Sequence, residues 1–266
     1  MPPQFFRMLW AELRTVFMRR TGLAVLVVAL LVPIAVLGSL ALIKARSVGV
    51  TVQNMPADQL LQTTAAQAAG WALRGRNFFV LPLFLLLATG EALATEREEH
   101  VLRELLVRPV PRWSVLAVKF LALLALSVVS LALSLAPSLV GGFALSQDAG
   151  PVVDLLLGYA ASAASDAGLI ALGLLAGTIA RGAGGVVVSV IALLMLDIGA
   201  RGLLWIMDKV QVAWAGQLSG LLPGAALGAW EGWSEGWAWQ PFVGLAVLIG
   251  VCLGGTLLRL QRMDVP

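Results

Sequence analysis

Residues 23–43 run without a charged side chain, and apolar stretches of comparable length recur at 78–95, 115–140, 155–180, 183–205 and 241–258. A helix needs about 20 mostly apolar residues to cross a hydrocarbon core roughly 30 Å thick, so each stretch has the length of a membrane span. Charged residues make up only 12% of the 266 positions and mean hydropathy is +0.91, whereas a soluble domain carries about 25% charged residues. The chain therefore reads as an all-α integral membrane protein, a single transmembrane domain over 1–266 with six spans. Arg14, Arg19 and Arg20 precede the first stretch as in a secretory signal. That apolar run exceeds the roughly 7–15 residues of a signal core and lacks a small-residue cleavage site, so it reads as an uncleaved span.

The same composition removes several function classes. One cysteine, Cys252, and one histidine, His100, exclude an intrachain disulfide and a Cys/His metal cage. No Gly-Lys dipeptide occurs, so the chain has no nucleotide-binding P-loop. The net charge of +3 comes from basic residues dispersed among apolar stretches, which argues against nucleic acid as a partner and for membrane orientation. With both termini cytoplasmic, Arg7, Arg14, Arg19, Arg20, Arg97, Arg103, Arg108, Arg112, Lys119, Arg181, Arg259 and Arg262 lie inside, twelve against six for Lys44, Arg46, Arg74, Arg76, Arg201 and Lys209. The excess favours that topology.

Three segments outside the spans carry pattern. Before the first span, Phe6, Trp10, Leu13 and Phe17 share one helical face with Arg7 and Arg14 opposite, an amphipathic interfacial helix or a basic anchor. Two long connections, 44–77 and 206–240, fall on the external side. The first is expected to hold a short surface helix over 58–73, with Leu60, Leu61 and Leu73 apolar. The second collects Trp214, Trp230, Trp233, Trp237 and Trp239 just after Trp205, with Pro223 and glycines breaking any full span. Short re-entrant helices at the headgroup layer suit it, and Glu231 and Glu235 read as a solvated face rather than an acid/base pair.

Between the second and third spans lies TEREEHVLRELLVRPVPRWSVLAVK. Val101, Leu102, Leu105 and Leu106 share a helical face, Glu99 with Arg103 and Glu104 with Arg108 are i,i+4 pairs, and Pro109 and Pro111 end the helix. Here the chain resembles the membrane subunits of ABC transporters of the type-2 export permease family. The family pattern of an acidic pair, Leu-x-x-Leu-Leu, Pro-Val, Arg and a Lys seven residues later is matched by Glu96 and Glu98, by Leu102, Leu105 and Leu106, by Pro109 and Val110, and by Arg112 and Lys119. The chain departs from it at His100 and Val101, where the family commonly has Gly-Thr. The resemblance extends over the amphipathic start, the six spans and the broken Trp-rich segment.

The resemblance implies that this segment is a cytoplasmic coupling helix, with Glu96, Glu98, Leu102, Leu105, Leu106 and Arg112 contacting a separate ATP-binding subunit. It implies no cofactor in this chain, with ATP and Mg on that partner. A second permease copy, as homodimer or heterodimer, residence in the bacterial inner membrane, and an extracytoplasmic accessory protein on the external loops belong to the same expectation. The chain itself is then a non-catalytic subunit coupling hydrolysis to substrate translocation or mechanical transmission.

Charges inside spans are costly and mark function or pairing. Asp166, mid-span, is expected either on a translocation path or hydrogen-bonded to neighbours such as Ser162. Asp197 is expected either on that path or paired with Arg201 one turn on. An ion-coupled secondary transporter using these two acids is the alternative function, although no inverted repeat with paired broken spans is evident. Gly173 and Gly177 have the GxxxG spacing of close helix packing.

Overall fold

The structure, a computed structural model, describes residues 3–46, 51–52, 55–56, 64–78, 80–99, 111–146, 148–211, 214–232 and 236–262. Helix α1 (Pro3–Met18) turns directly into α2 (Arg20–Arg46). A two-residue antiparallel pair, Thr51–Val52 with Met55–Pro56, precedes α3 (Ala65–Phe78). Helix α4 (Val80–Gly90) continues through a π-helical turn, Glu91–Thr95, into a last turn at Glu96–Glu98. Next along the chain come α5 (Arg112–Leu145), α6 (Val152–Gly177) and α7 (Gly182–Lys209), the short α8 (Ala215–Ser219) and α9 (Pro223–Leu227), a 3₁₀ turn at Ala229–Glu231, and α10 (Gln240–Arg262).

Five of these helices are long and apolar enough to cross a membrane, and the pair Ala65–Phe78 and Val80–Glu98, bent by 42°, makes a sixth span when taken as one. The chain is thus an all-α, multi-pass membrane protein. Helix α6 is the core: 72% of its most apolar stretch is buried, against 17–22% for α2, α7 and α10, whose Val27, Ile34, Leu196 and Val251 point outward. Exposed aliphatic faces of this kind suit lipid, which needs no polar cover.

Small residues let the core helices approach. A Cβ on Gly173 would stand 2.9 Å from Thr89 Cγ2, so the GxxxG face of α6 packs on α4 within the chain. At the α6–α7 corner Gly182 takes a positive φ of 61°, open to glycine without strain, and reverses the chain within a few residues.

The structure departs from the expected boundaries in two places. Residues from Ala65 onward, expected in an external loop with a surface helix, form a buried helix: Ala66, Ala69 and Leu73 pack with Leu131, Leu155, Tyr159 and Trp230. Its alanine face permits tight packing against α5 and α6, which outweighs its modest hydropathy. Helix α5 runs through Pro137 and the Gly141 and Gly142 pair to Leu145, beyond the expected end at 140. Gly142 is useful there, because a Cβ would stand 2.5 Å from the carbonyl oxygen of Ala65.

The start of α1 and the end of α10 lie at one end of the bundle. Phe5 of α1 stacks on Trp113 at the start of α5, with ring centroids 6.4 Å apart, while Arg112 donates to the carbonyls of Leu260 and Gln261 at the end of α10. On α1 the buried positions are Phe5 and Val16, whereas Phe6 and Trp10 stay exposed. The helix is amphipathic as expected, but the expected apolar face divides: Leu13 and Phe17 pack against the core, whereas Phe6 and Trp10 face away.

Candidate functional site

Two ionic networks stand out in a chain with so few charges. The first surrounds the segment between the second and third spans. A π turn carries more residues than an α turn and so re-aims the side chains beyond it; after Glu91–Thr95 the side chain of Glu96 points into the bundle and is buried. One carboxylate oxygen of Glu96 accepts from Arg19 at 2.7 Å and the other from Lys119 Nζ at 2.6 Å. Lys119 also reaches Glu12 of α1 at 3.0 Å. Arg19, Glu96, Lys119 and Glu12 thus alternate in sign and cancel in net charge, joining the α1–α2 junction, the second span, α5 and α1.

The neighbours of Glu96 extend the clamp. Thr21 Oγ1 donates to Glu91 at 2.6 Å. Arg97 donates to the carbonyls of Thr178 and Ala180, just past the end of α6, where a cation complements both the unpaired carbonyls and the helix dipole. Arg112 does the same for α10. Glu98 is exposed and approaches the α6–α7 corner, its Oε2 3.4 Å from where a Cβ on Gly182 would sit. Leu102, Leu105 and Leu106 fall in 100–110, outside the described residues. Of the six expected contact residues, Glu96 therefore turns inward, Arg112 ties α5 to α10, and Glu98 is left on the surface.

The second network lies about 20 Å along α6 from its start, near mid-depth. Arg76 of α3, with no solvent exposure, donates from Nη2 to Asp166 Oδ2 at 2.8 Å and to Ser130 at 3.0 Å, and from Nη1 to Asn77 at 2.6 Å and Ser162 at 3.2 Å. Ser127 donates to the same Asp166 oxygen at 2.6 Å. Ser127, Ser130, Ser134 and Ser138 recur on one face of α5, all fully buried, and Tyr159 of α6 donates to Ser138 at 2.9 Å. A polar seam therefore follows α5 through an apolar bundle, with the guanidinium as its hub. Asn77, Ser165 and Asp166 line the polar end of a cavity of about 160 Å³ beside it.

The expected residues are thus separated. Asp166 sits in the seam, paired with an arginine expected in an external loop. Asp197 is apart from it, 2.8 Å from Arg201 Nε in an i,i+4 pair. The short α9 closes over that pair, since a Cβ on Gly224 would lie 2.2 Å from Asp197 Oδ2. Sequence reasoning missed Arg76 as a site residue and placed Lys119 only in the family pattern, although a buried acid demands a partner and the cations flanking the spans were the available ones. Of the tryptophans, Trp230 is buried among α3 and α6 residues, while Trp205, Trp214, Trp237 and Trp239 are exposed as headgroup-layer residues would be. No group of three or more His, Cys, Asp or Glu suited to a metal occurs among the described residues.

No curated protein matches the chain. The family model described as ABC-2 family transporter protein matches residues 7–265, which takes in most of α1, both ionic networks and every span. The chain accordingly belongs to the ABC-2 transporter family and is a membrane subunit of an ABC transporter.

Proposed function

We propose that the chain is the export-type permease half of an ATP-driven transporter, driven through residues 99–111 by a separate ATP-binding subunit that holds ATP and Mg. Leu102, Leu105 and Leu106 supply the apolar contact and Glu98 an exposed acid beside it. A second permease copy, identical or related, completes the membrane part, in a bacterial inner membrane with both termini cytoplasmic. Hydrolysis then shifts the population between two arrangements of the permease pair.

One observation carries this reading: the segment expected to meet the ATPase is bracketed by side chains anchored on five other elements. Glu96 and Arg97 before it and Arg112 after it reach the α1–α2 junction, α5, α6 and α10, and Lys119 relays to Glu12 of α1. A displacement of that segment is distributed over the bundle instead of being absorbed by a loose loop. Both intramembrane acids are already paired with arginines, which favours a permease over an ion-coupled carrier built on Asp166 and Asp197.

The test is purification in mild detergent with identification of copurifying proteins and assay of ATP hydrolysis. A P-loop ATPase is expected at near one-to-one stoichiometry, and Leu105→Asp with Leu106→Asp should release it while the permease stays in the membrane. Full retention of the ATPase by that variant would overturn the assignment.

A further inference from the structure

Asp166 uses only half of its carboxylate. Oδ2 accepts from both Arg76 and Ser127, and no hydrogen bond from a described residue reaches Oδ1. The adjacent Ser165 is over nine-tenths buried, and its Oγ has no partner among the described residues. Both residues line the cavity beside the seam, with the Asn77 amide next to them, while Leu169, Leu194, Leu227 and Trp230 form its apolar wall. An unpaired buried hydroxyl is expensive to leave without a partner, so the convergence of Ser165 Oγ with the Asp166 carboxylate on one space marks a place for a polar group.

We propose that this cavity binds a neutral amphiphile through a terminal hydroxyl or amide. The group donates a hydrogen bond to Asp166 Oδ1 and accepts one from Ser165 Oγ, while an aliphatic body lies along Leu169, Leu194 and Leu227. Charge selects against the alternatives. Arg76 and Asp166 already cancel, so an ammonium group would bring an uncompensated charge next to a guanidinium, and a carboxylate or phosphate would meet the free oxygen of Asp166. Apolar walls from α6, α7 and α9 fit an aliphatic chain. Taking the ligand as transported cargo rests on the permease reading; the binding site does not.

The purified chain in phosphatidylcholine nanodiscs would be photolabelled with a diazirine-bearing dodecanol, alongside the amine and carboxylic acid of the same chain, and labelled peptides mapped by mass spectrometry. The alcohol is expected to label residues 162–169 and 227–230 about tenfold above the other two, the value of one hydrogen bond to a charged group. Ser165→Leu, which fills the polar end, should abolish the preference. Ser165→Ala, which deletes only an unpartnered hydroxyl and leaves the fold intact, should reduce it. Equal labelling by all three probes, or a preference unchanged in both variants, would overturn the proposal. The readout needs no ATPase: selective labelling of a preparation from which no ATPase copurifies upholds the site while the permease reading fails.

Discussion

The two ionic networks use the same groups in opposite ways. At mid-depth a single pair, Arg76 and Asp166, is buried beside the cavity, and its hydrogen bonds go to hydroxyls and an amide. At the end of the bundle four charges alternate, and Arg19 and Glu12 keep side-chain exposures of 27% and 14%. A charge in the first network has no substitute partner, so α3, α5 and α6 are locked at that level. Each inner charge of the second has two partners and each outer one has access to water, so it can exchange contacts stepwise without leaving a charge bare. Only the second arrangement is suited to movement.

That contrast breaks most sharply at the mid-depth pair. Asp166→Ala leaves the Arg76 guanidinium buried without its counter-ion, and the expected loss of stability is about 3–5 kcal/mol. Denaturant unfolding of the purified protein in detergent measures it. Arg76→Met with Asp166→Leu should recover most of that loss, because removing both charges also removes their desolvation cost. A single substitution costing less than about 1 kcal/mol would show that the pair locks nothing.

At the bundle end the expected loss is smaller and the functional effect larger. Lys119→Met removes two contacts, but Glu96 keeps Arg19 and Glu12 can turn to water, so stability should fall by about 2 kcal/mol. The 100–110 segment is untouched, and the ATPase proposed as partner should still copurify. What should be lost is the response of its hydrolysis rate to the permease, with Lys119→Arg restoring it. Loss of the ATPase itself from the Lys119→Met complex would assign this network to docking instead of transmission.

Legibility in the sequence followed the range of each interaction. The apolar runs gave the spans because hydrocarbon tolerates little else, and the GxxxG face and the Asp197–Arg201 pair were visible because helix geometry sets them locally. Helix α3 was legible as a short helix but not as an interior one, since AAQAAGWALRGR carries two arginines and a glutamine and becomes interior only through what α5 and α6 present to it. Arg76 finds Asp166 ninety positions away, a distance over which sequence periodicity carries no signal. The spacing of Arg112 and Lys119 supported the family resemblance, yet the inward turn of Glu96 depends on a π turn that no residue pattern announced. Ser165 gave no sign of its own, because an unpartnered hydroxyl is a property of its surroundings.

The Asp197–Arg201 pair supplies the control that sharpens the comparison. It resembles the mid-depth pair in residue types and shares its 2.8 Å separation, but the arginine side chain is 37% exposed and lies one helical turn from its acid. Its acid, however, is as buried as Asp166, with a side chain 4% exposed and Oδ1 unpartnered among the described residues, so Arg201→Gln should cost about 1–2 kcal/mol, more than an exposed i,i+4 pair and less than Asp166→Ala. The glutamine amide can still donate toward Asp197, which keeps the loss below that of a buried acid left bare. The same unfolding assay should place this variant between wild type and Asp166→Ala. A loss matching that of Asp166→Ala would mean that α9, closed over Asp197 at Gly224, encloses this pair as tightly as the bundle encloses the other, and the distinction between a locked centre and an adaptable periphery would have to be redrawn at α9.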